Sequence, residues 1–254
     1  MIDIHNHVLV GVDDGPQSLD ETIALLKQAS AQGIKGIVVT PHHLHPRYDN
    51  TFETVLKGID ELNNIEEIAQ LNLQLYPGQE IRITDKIFEE IEQHKVKGIN
   101  GSKYLLIELP SNSVPHYTKN LLYEIQTKGF IPIIAHPERN KAIAKDINLL
   151  YELINNGALS QITASSLTGE LGKNIQKLSI QMLEHNLVHF VASDAHHSES
   201  RPFSLDALFN TPKLKNIESV ISVLLDNNEA MIQDKSVVTE RPIEFKKNKF
   251  FGLF

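Results

Sequence analysis

The chain has 254 residues, a formal net charge of −8 with histidine neutral, no cysteine, and 41% hydrophobic against 22% charged residues. Its length suffices for one large α/β domain, 1–254, with a substantial core. The acidic balance argues against a broad nucleic-acid-binding surface, and the missing cysteine excludes disulfides, thiolate metal ligands and any cysteine nucleophile.

The first predicted element is a strand, IDIHNHV (2–8). A strand sends alternate side chains to one face, so His5 and His7 point the same way, one pleat apart, and two such imidazoles can grip one cation. Asp13 and Asp14 follow in the loop. A helix is predicted over 18–32, with Ser18 as its cap, Ile23, Leu26 and Ala29 on one stripe, and Gly33 at its end. The run GIKGIVVTPHH (33–43) is a second strand that ends in His42, with His43 as a substitute. A helix over about 51–70 leads to the strand LQLYPGQE (73–80), ending on Glu80, and one over 84–95 leads to KYLLIELP (103–110), carrying Glu108. Beyond a helix at 117–128, FIPIIAHPER (130–139) brings His136 and Arg139. Helices over 140–156 and 170–186 flank the strand SQITAS (160–165), and LVHFVASDAH (187–196) delivers Asp194 and His196. Arg201 and a last helix, 203–228, follow. Neither an internal repeat nor a low-complexity linker interrupts this alternation.

Strands alternating with helices predict a parallel sheet. Seven strands fall short of an eightfold barrel, so the choice lies between a smaller, distorted barrel and an open doubly wound sheet. Six strands bring metal-capable residues to their C-terminal ends, as a barrel does when it builds a site, whereas an open sheet concentrates its chemistry at one switch point. The pattern predicts the barrel.

Nine candidate ligands result: His5, His7, Asp14, His42, Glu80, Glu108, His136, Asp194 and His196. They are too many for one ion, and two or three divalent ions with bridging carboxylates fit better. An oxygen and imidazole set suits manganese, iron or zinc. Clustered divalent ions lower the pKa of bound water and clamp the oxygens of an in-line displacement at phosphorus, so the predicted reaction class is hydrolysis. Arg139 and Arg201, beside the proposed metal ends, match the planar, bidentate recognition of phosphate oxygens. His94, His116, His185 and His189 read as structural or solvent-exposed.

The ordered motifs DIHNH, DDG, TPHH, GQE, IELP, AHPER and SDAH resemble those of the polymerase and histidinol phosphatase (PHP) superfamily. Within it, nearly the whole chain is similar to the Gram-positive tyrosine-protein phosphatases of capsule and exopolysaccharide synthesis. The resemblance implies a distorted, TIM-like (β/α)7 barrel with a trinuclear, manganese-dependent centre. Position 42 matches the motif better than 43. Carried over by motif, His5, His7, Glu80 and Asp194 hold one ion, with Glu80 shared. Glu108 and His136 complete a second site, and Asp14, His42 and His196 hold a third. Asp13 is then expected to face away, His197 to face solvent or support the ligands, and Arg47 to be solvated. Arg139 and Arg201 match arginines used against the phosphate, and the implied substrate is the phosphotyrosine cluster of a cognate bacterial tyrosine kinase.

The local chemistry agrees with that implication. A phenolate leaves with a conjugate-acid pKa near ~10, so attack by a metal-bound hydroxide needs little help from a general acid. The competing expectations are a small-molecule phosphomonoesterase, such as a histidinol-phosphate phosphatase, and a non-catalytic metal-bound scaffold that binds a kinase. The loops 43–50 and 111–119 are expected to shape the entrance. No apolar run approaches the ~20 residues that span a bilayer, and the N-terminus lacks a signal-peptide pattern, so a cytoplasmic protein is expected. The basic–aromatic tail KKNKFFGLF (246–254) is read as a peripheral docking segment for a membrane-associated kinase or anionic lipid.

Overall fold

The computed structural model describes residues 1–246; the tail from 247 onward, to which the docking expectation applies, lies outside the described residues. The strands are β1 (Ile2–Asn6), β2 (Gly36–Val39), β3 (His42–His43), β4 (Gln74–Pro77), β5 (Glu80–Arg82), β6 (Tyr104–Glu108), β7 (Ile131–Ala135), β8 (Leu159–Thr163) and β9 (Phe190–Ala192). They form two parallel sheets, ordered β1-β2-β4 and β3-β5-β6-β7-β8-β9.

Two expected strands are each broken into two. The run 33–43 stops at Val39 and resumes at His42, and the run 73–80 stops at Pro77 and resumes at Glu80. Pro41 has no N–H to continue a ladder. At Gly78, an added Cβ would stand 2.8 Å from Val38 Cγ1 and 3.0 Å from Thr40 Cγ2, so the two chains cross there too closely for a side chain. Hydrogen bonds carry the pairing across the break, from Gly78 N to Val39 O (3.0 Å) and from Glu80 N to Pro41 O (3.1 Å). With each broken pair counted as one, seven strands lie side by side in chain order, as the pattern predicts.

The first and last strands meet through a parallel bridge between Asn6 and Ala195, with His7 N donating to Ala195 O and Asp194 N to His5 O, both at 2.8 Å. Asp3, fully buried, stitches the same seam. Its carboxylate accepts from Ser193 N and Ser193 Oγ, each at 2.7 Å, and from Asn6 Nδ2 at 2.9 Å. Ile4, Val38, Leu106, Ile133 and Phe190, from five strands, share one apolar cluster, as residues facing a common interior do, and Met231 and Ile232 join it. The larger cluster packs helices onto the strands.

The helices are α1 (Leu19–Ala31), α2 (Phe52–Asn63), α3 (Glu66–Ala69), α4 (Ile87–Glu92), α5 (Thr118–Thr127), α6 (Lys141–Lys145), α7 (Asn148–Asn155), α8 (Ala164–Thr168), α9 (Lys173–Glu184), α10 (Ala207–Asn210) and α11 (Glu218–Ile232). Ser18 Oγ caps α1 by accepting from Glu21 N, as expected. The long stretches expected at 51–70, 140–156 and 203–228 are each interrupted. Among the described residues, no helix is long and apolar enough to cross a membrane.

His189 is buried, and its Nδ1 accepts from Ser160 N at 3.2 Å. Burial pushes its pKa down to about 4, so it folds neutral while the unfolded chain takes up a proton below about 6.5. Its contribution is present above pH 6.5 and is lost as pH falls towards 4, by up to about 3 kcal/mol. In urea unfolding at pH 7.5 and pH 5, His189→Asn should therefore lose less stability on acidification than the wild type; equal losses would exclude His189 as a source of acid sensitivity.

Candidate metal centre

The strand register places the chemistry. β3 pairs with β5 so that His42 lies beside Glu80, and β5 pairs with β6 so that Arg82 lies beside Glu108. His5 lies one residue before the end of β1, with His7 just beyond that end, and His136 and Asp194 follow β7 and β9. These last two adopt left-handed backbone conformations, φ 31° and 55°. Each costs about 1 kcal/mol for a residue with a Cβ, and such strain collects where a side chain must be aimed.

Glu80 is the hub. Its Oε2 lies 3.5 Å from His5 Nε2, 3.4 Å from His7 Nε2 and 2.8 Å from His42 Nδ1, while Oε1 accepts from His136 Nε2 at 2.7 Å. Glu108 Oε2 stands 3.8 Å from His42 Nδ1 and 3.2 Å from Arg82 Nε. On the other side, Asp14 Oδ1 lies 3.4 Å from His42 Nε2 and 3.3 Å from His196 Nε2. Asp194 Oδ1 sits 3.4 Å from His5 Nε2 and 3.5 Å from His7 Nε2. Its Oδ2 accepts from Arg139 Nη1 and, at 2.7 Å, from Arg201 Nη2. All nine residues singled out by the sequence, and both arginines, thus converge on one site.

Three imidazoles are held in one tautomer. Nδ1 of His5 donates to Gln161 Oε1 (2.8 Å), Nδ1 of His7 to Asp13 Oδ2 (2.6 Å) and Nδ1 of His196 to the carbonyl of Asp194 (2.9 Å). Each Nε2 is left as a bare lone pair facing the cluster, and those of His5 and His7 are only 3.4 Å apart. Nδ1 of His42, Oε2 of Glu80, Oε2 of Glu108, Oδ1 of Asp14 and Nε2 of His196 are buried with no hydrogen-bond partner. Converging lone pairs and carboxylates without donors fit divalent cations. Three groups of ligand atoms lie within reach of a single ion: His7 with Asp14, His42 and His196; His5 with His7 and Glu80; and His42 with Glu80 and Glu108.

The charge balance is tight. Burial alone would raise the pKa of Glu80, yet the neighbouring imidazoles of His42 and His5 and the bond from His136 hold it well below the usual carboxylate range. Burial and then the neighbouring Glu80 push Glu108 up to about 7. Burial opposes protonation of His42, but Glu80 and Asp14 outweigh it and raise the group to about 10. Burial and then His7 push His196 down to about 4, so it stays neutral.

Two expectations are corrected. Asp13 does not face away: it is buried, and besides holding His7 it accepts from His42 N (3.1 Å) and Gly15 N (3.0 Å), because the loop after His7 turns back over the strand end. The grouping also differs, since His7 and His42 each reach two groups and His136 meets the cluster through Glu80. Of the remaining alternatives, His43 points elsewhere, between Asp49 (3.0 Å) and Glu90 (3.4 Å). Arg47 is exposed, with its guanidinium 5.1 Å from the Tyr48 ring centroid. Gln161 and Arg82 were not singled out by the sequence. A glutamine in the buried run SQITAS was the available signal for the first; the second had none.

A model of the family described as capsular polysaccharide synthesis, CpsB/CapC, matches residues 1–233. The chain belongs to this family. It is 55% identical over the full length of both chains to a Staphylococcus aureus protein provisionally named tyrosine-protein phosphatase CapC. Identity to the Bacillus subtilis tyrosine-protein phosphatase YwqE is 40%, again over the full length of both. A crystal structure from the pair YwqE of Bacillus subtilis and CpsB of Streptococcus pneumoniae, described as unique metal-dependent tyrosine phosphatases, superimposes with a TM-score of 0.91 at 38% identity, covering 97% of this chain and 100% of that one. A β-aspartyl dipeptidase of Fervidobacterium islandicum, 15% identical with a TM-score of 0.51 over 91% of this chain and 72% of its own, shares the fold alone.

The groups behind the ligands should matter almost as much as the ligands. Asp13→Ala and Gln161→Ala, which free the Nδ1 of His7 and His5, should each weaken Mn²⁺ binding by about 10- to 100-fold in calorimetric titration. Unchanged affinity in both would show that these bonds do not orient the imidazoles.

Proposed function

We propose that the protein is a metal-dependent tyrosine-protein phosphatase, a single domain acting in the cytoplasm on phosphotyrosines of a bacterial tyrosine kinase that controls capsular polysaccharide synthesis. The observation that carries this reading is the convergence of bare Nε2 lone pairs and unpartnered carboxylate oxygens beside two arginines. It is supported by membership of the CpsB/CapC family and by relatives called tyrosine-protein phosphatases.

His5, His7, Asp14, His42, Glu80, Glu108, His136, Asp194 and His196 would hold two or three divalent ions, manganese first and iron or zinc as substitutes, with no thiolate in the set. Such ions supply Lewis acidity and an activated water at neutral pH. The chain's own contribution is positioning and charge. Arg139 and Arg201 share Asp194 Oδ2 as acceptor. Their remaining N–H groups can take phosphate oxygens in the planar manner that suits guanidinium. Their positive charge then meets the charge that grows on the phosphoryl oxygens. Asp194 keeps both guanidiniums aimed at one point, so the phosphate is oriented before reaction. His136, bonded to Glu80, holds that carboxylate in place. A phenolate leaving group needs little proton donation, which suits a site whose acids and bases are committed to holding charge.

The test is phosphate release by metal-stripped protein with Mn²⁺ restored, from a phosphotyrosine peptide and from histidinol phosphate. Manganese-dependent turnover of the peptide in preference to histidinol phosphate is expected, with Arg139→Ala lowering kcat about 100-fold and His136→Ala lowering both turnover and metal retention. Preference for histidinol phosphate would replace the reading with a small-molecule phosphatase. No turnover of either, with metal bound, would reduce it to a scaffold.

A further inference from the structure

Arg139 divides two cavities. One, of about 250 Å³, is bordered by Glu108, Ser111, His136 and Asn140 and belongs to the ion-binding side. The other, of about 380 Å³, is lined by Arg139, Arg201 and Asp194 together with Leu171 and Pro202. Nothing in the chemistry of phosphate explains those last two residues.

Leu171 is 42% exposed, although a leucine at the mouth of a polar site gains nothing from water. It is also held in place. The turn Thr168–Gly172 follows α8 and is closed by Gly172 N donating to Gly169 O (2.9 Å), with both glycines in the left-handed region (φ 92° and 98°). Leu171 N donates to Ser165 O at 3.4 Å, and Thr168 Oγ1 donates to Glu170 Oε1 at 3.1 Å. Pro202 adds a rigid ring beside Arg201. One cavity is thus lined both by guanidinium groups and by apolar side chains that are held in place.

We propose that Leu171 and Pro202 form the wall that receives the aromatic ring of the substrate, so that this cavity selects aryl over alkyl phosphate esters. The inference rests on the phosphatase reading above and assigns its specificity. An aryl phosphate carries both a charged group and an apolar ring, and the lining of this cavity offers partners for each. A phosphoserine side chain has no ring to cover Leu171, so it gains only the phosphate contacts. Removing the wall should weaken aryl-ester binding while leaving the phosphate contacts intact.

The test uses the full chain loaded with Mn²⁺, comparing wild type, Leu171→Ala and Leu171→Phe. The readouts are KM and kcat for a phosphotyrosine peptide and the inhibition constant of inorganic phosphate, which has no ring. Leu171→Ala should raise KM about tenfold, the scale of a lost apolar contact in a specificity pocket. Its kcat and phosphate inhibition should stay at wild-type values, and Leu171→Phe should keep KM near wild type. An unchanged KM in Leu171→Ala, or phosphate inhibition weakening in step with KM, overturns the inference while leaving the phosphatase reading standing. Absence of turnover in the metal-loaded wild type overturns that reading, and this inference with it.

Discussion

Everything at the active end answers to one constraint: Glu80, Glu108, Asp13 and Asp194 are buried together where water cannot solvate them. Uncompensated carboxylates in such a place would be among the most costly features of the fold. The chain surrounds them with five imidazoles and three guanidiniums drawn from five of the nine strands or from the loops that follow them. Glu80 shows how far this goes, since both of its oxygens lie against histidines and Oε2 touches three. Divalent cations satisfy the same charge with fewer groups, and the bare Nε2 atoms are what such cations bind.

From this constraint follow the local irregularities. His136 and Asp194 accept left-handed backbone conformations at the ends of β7 and β9, where ordinary extended geometry would carry their side chains past the cluster. The breaks at Pro41 and Gly78 let the second and third chain passes bend, so that His42 and Glu80 pair beyond the break. Asp3 ties the first strand to the last and thereby sets His5 and His7 against Asp194. These devices concern position, and position is what a phosphatase without cysteine has to supply.

The ligand set was legible because strand periodicity fixes facing within a run and a βα repeat fixes which end of each run is functional. His5 and His7 follow from the first rule, and His42, Glu80, Glu108, His136 and Asp194 from the second. What was not legible depends on contacts between distant segments. Asp13 turns inward because a loop folds back on its own strand. Gln161 meets His5 across 156 residues of chain. The break at Gly78 arises from its closeness to Val38 and Thr40, and no local pattern in LQLYPGQE contains that fact. The choice of His42 over His43 followed the motif, whereas the placing of the buried His43 between Asp49 and Glu90 could be found only in three dimensions.

The central claim is that the convergent strand ends form one multinuclear metal centre. Anomalous diffraction from crystals of manganese-loaded protein, recorded at the manganese edge, tests it most directly. The account predicts two or three peaks among His5, His7, His42, Glu80, Glu108 and His196, with at least one flanked by Glu80 and His42 together. A single peak, or none within ligand distance of Glu80, would contradict it.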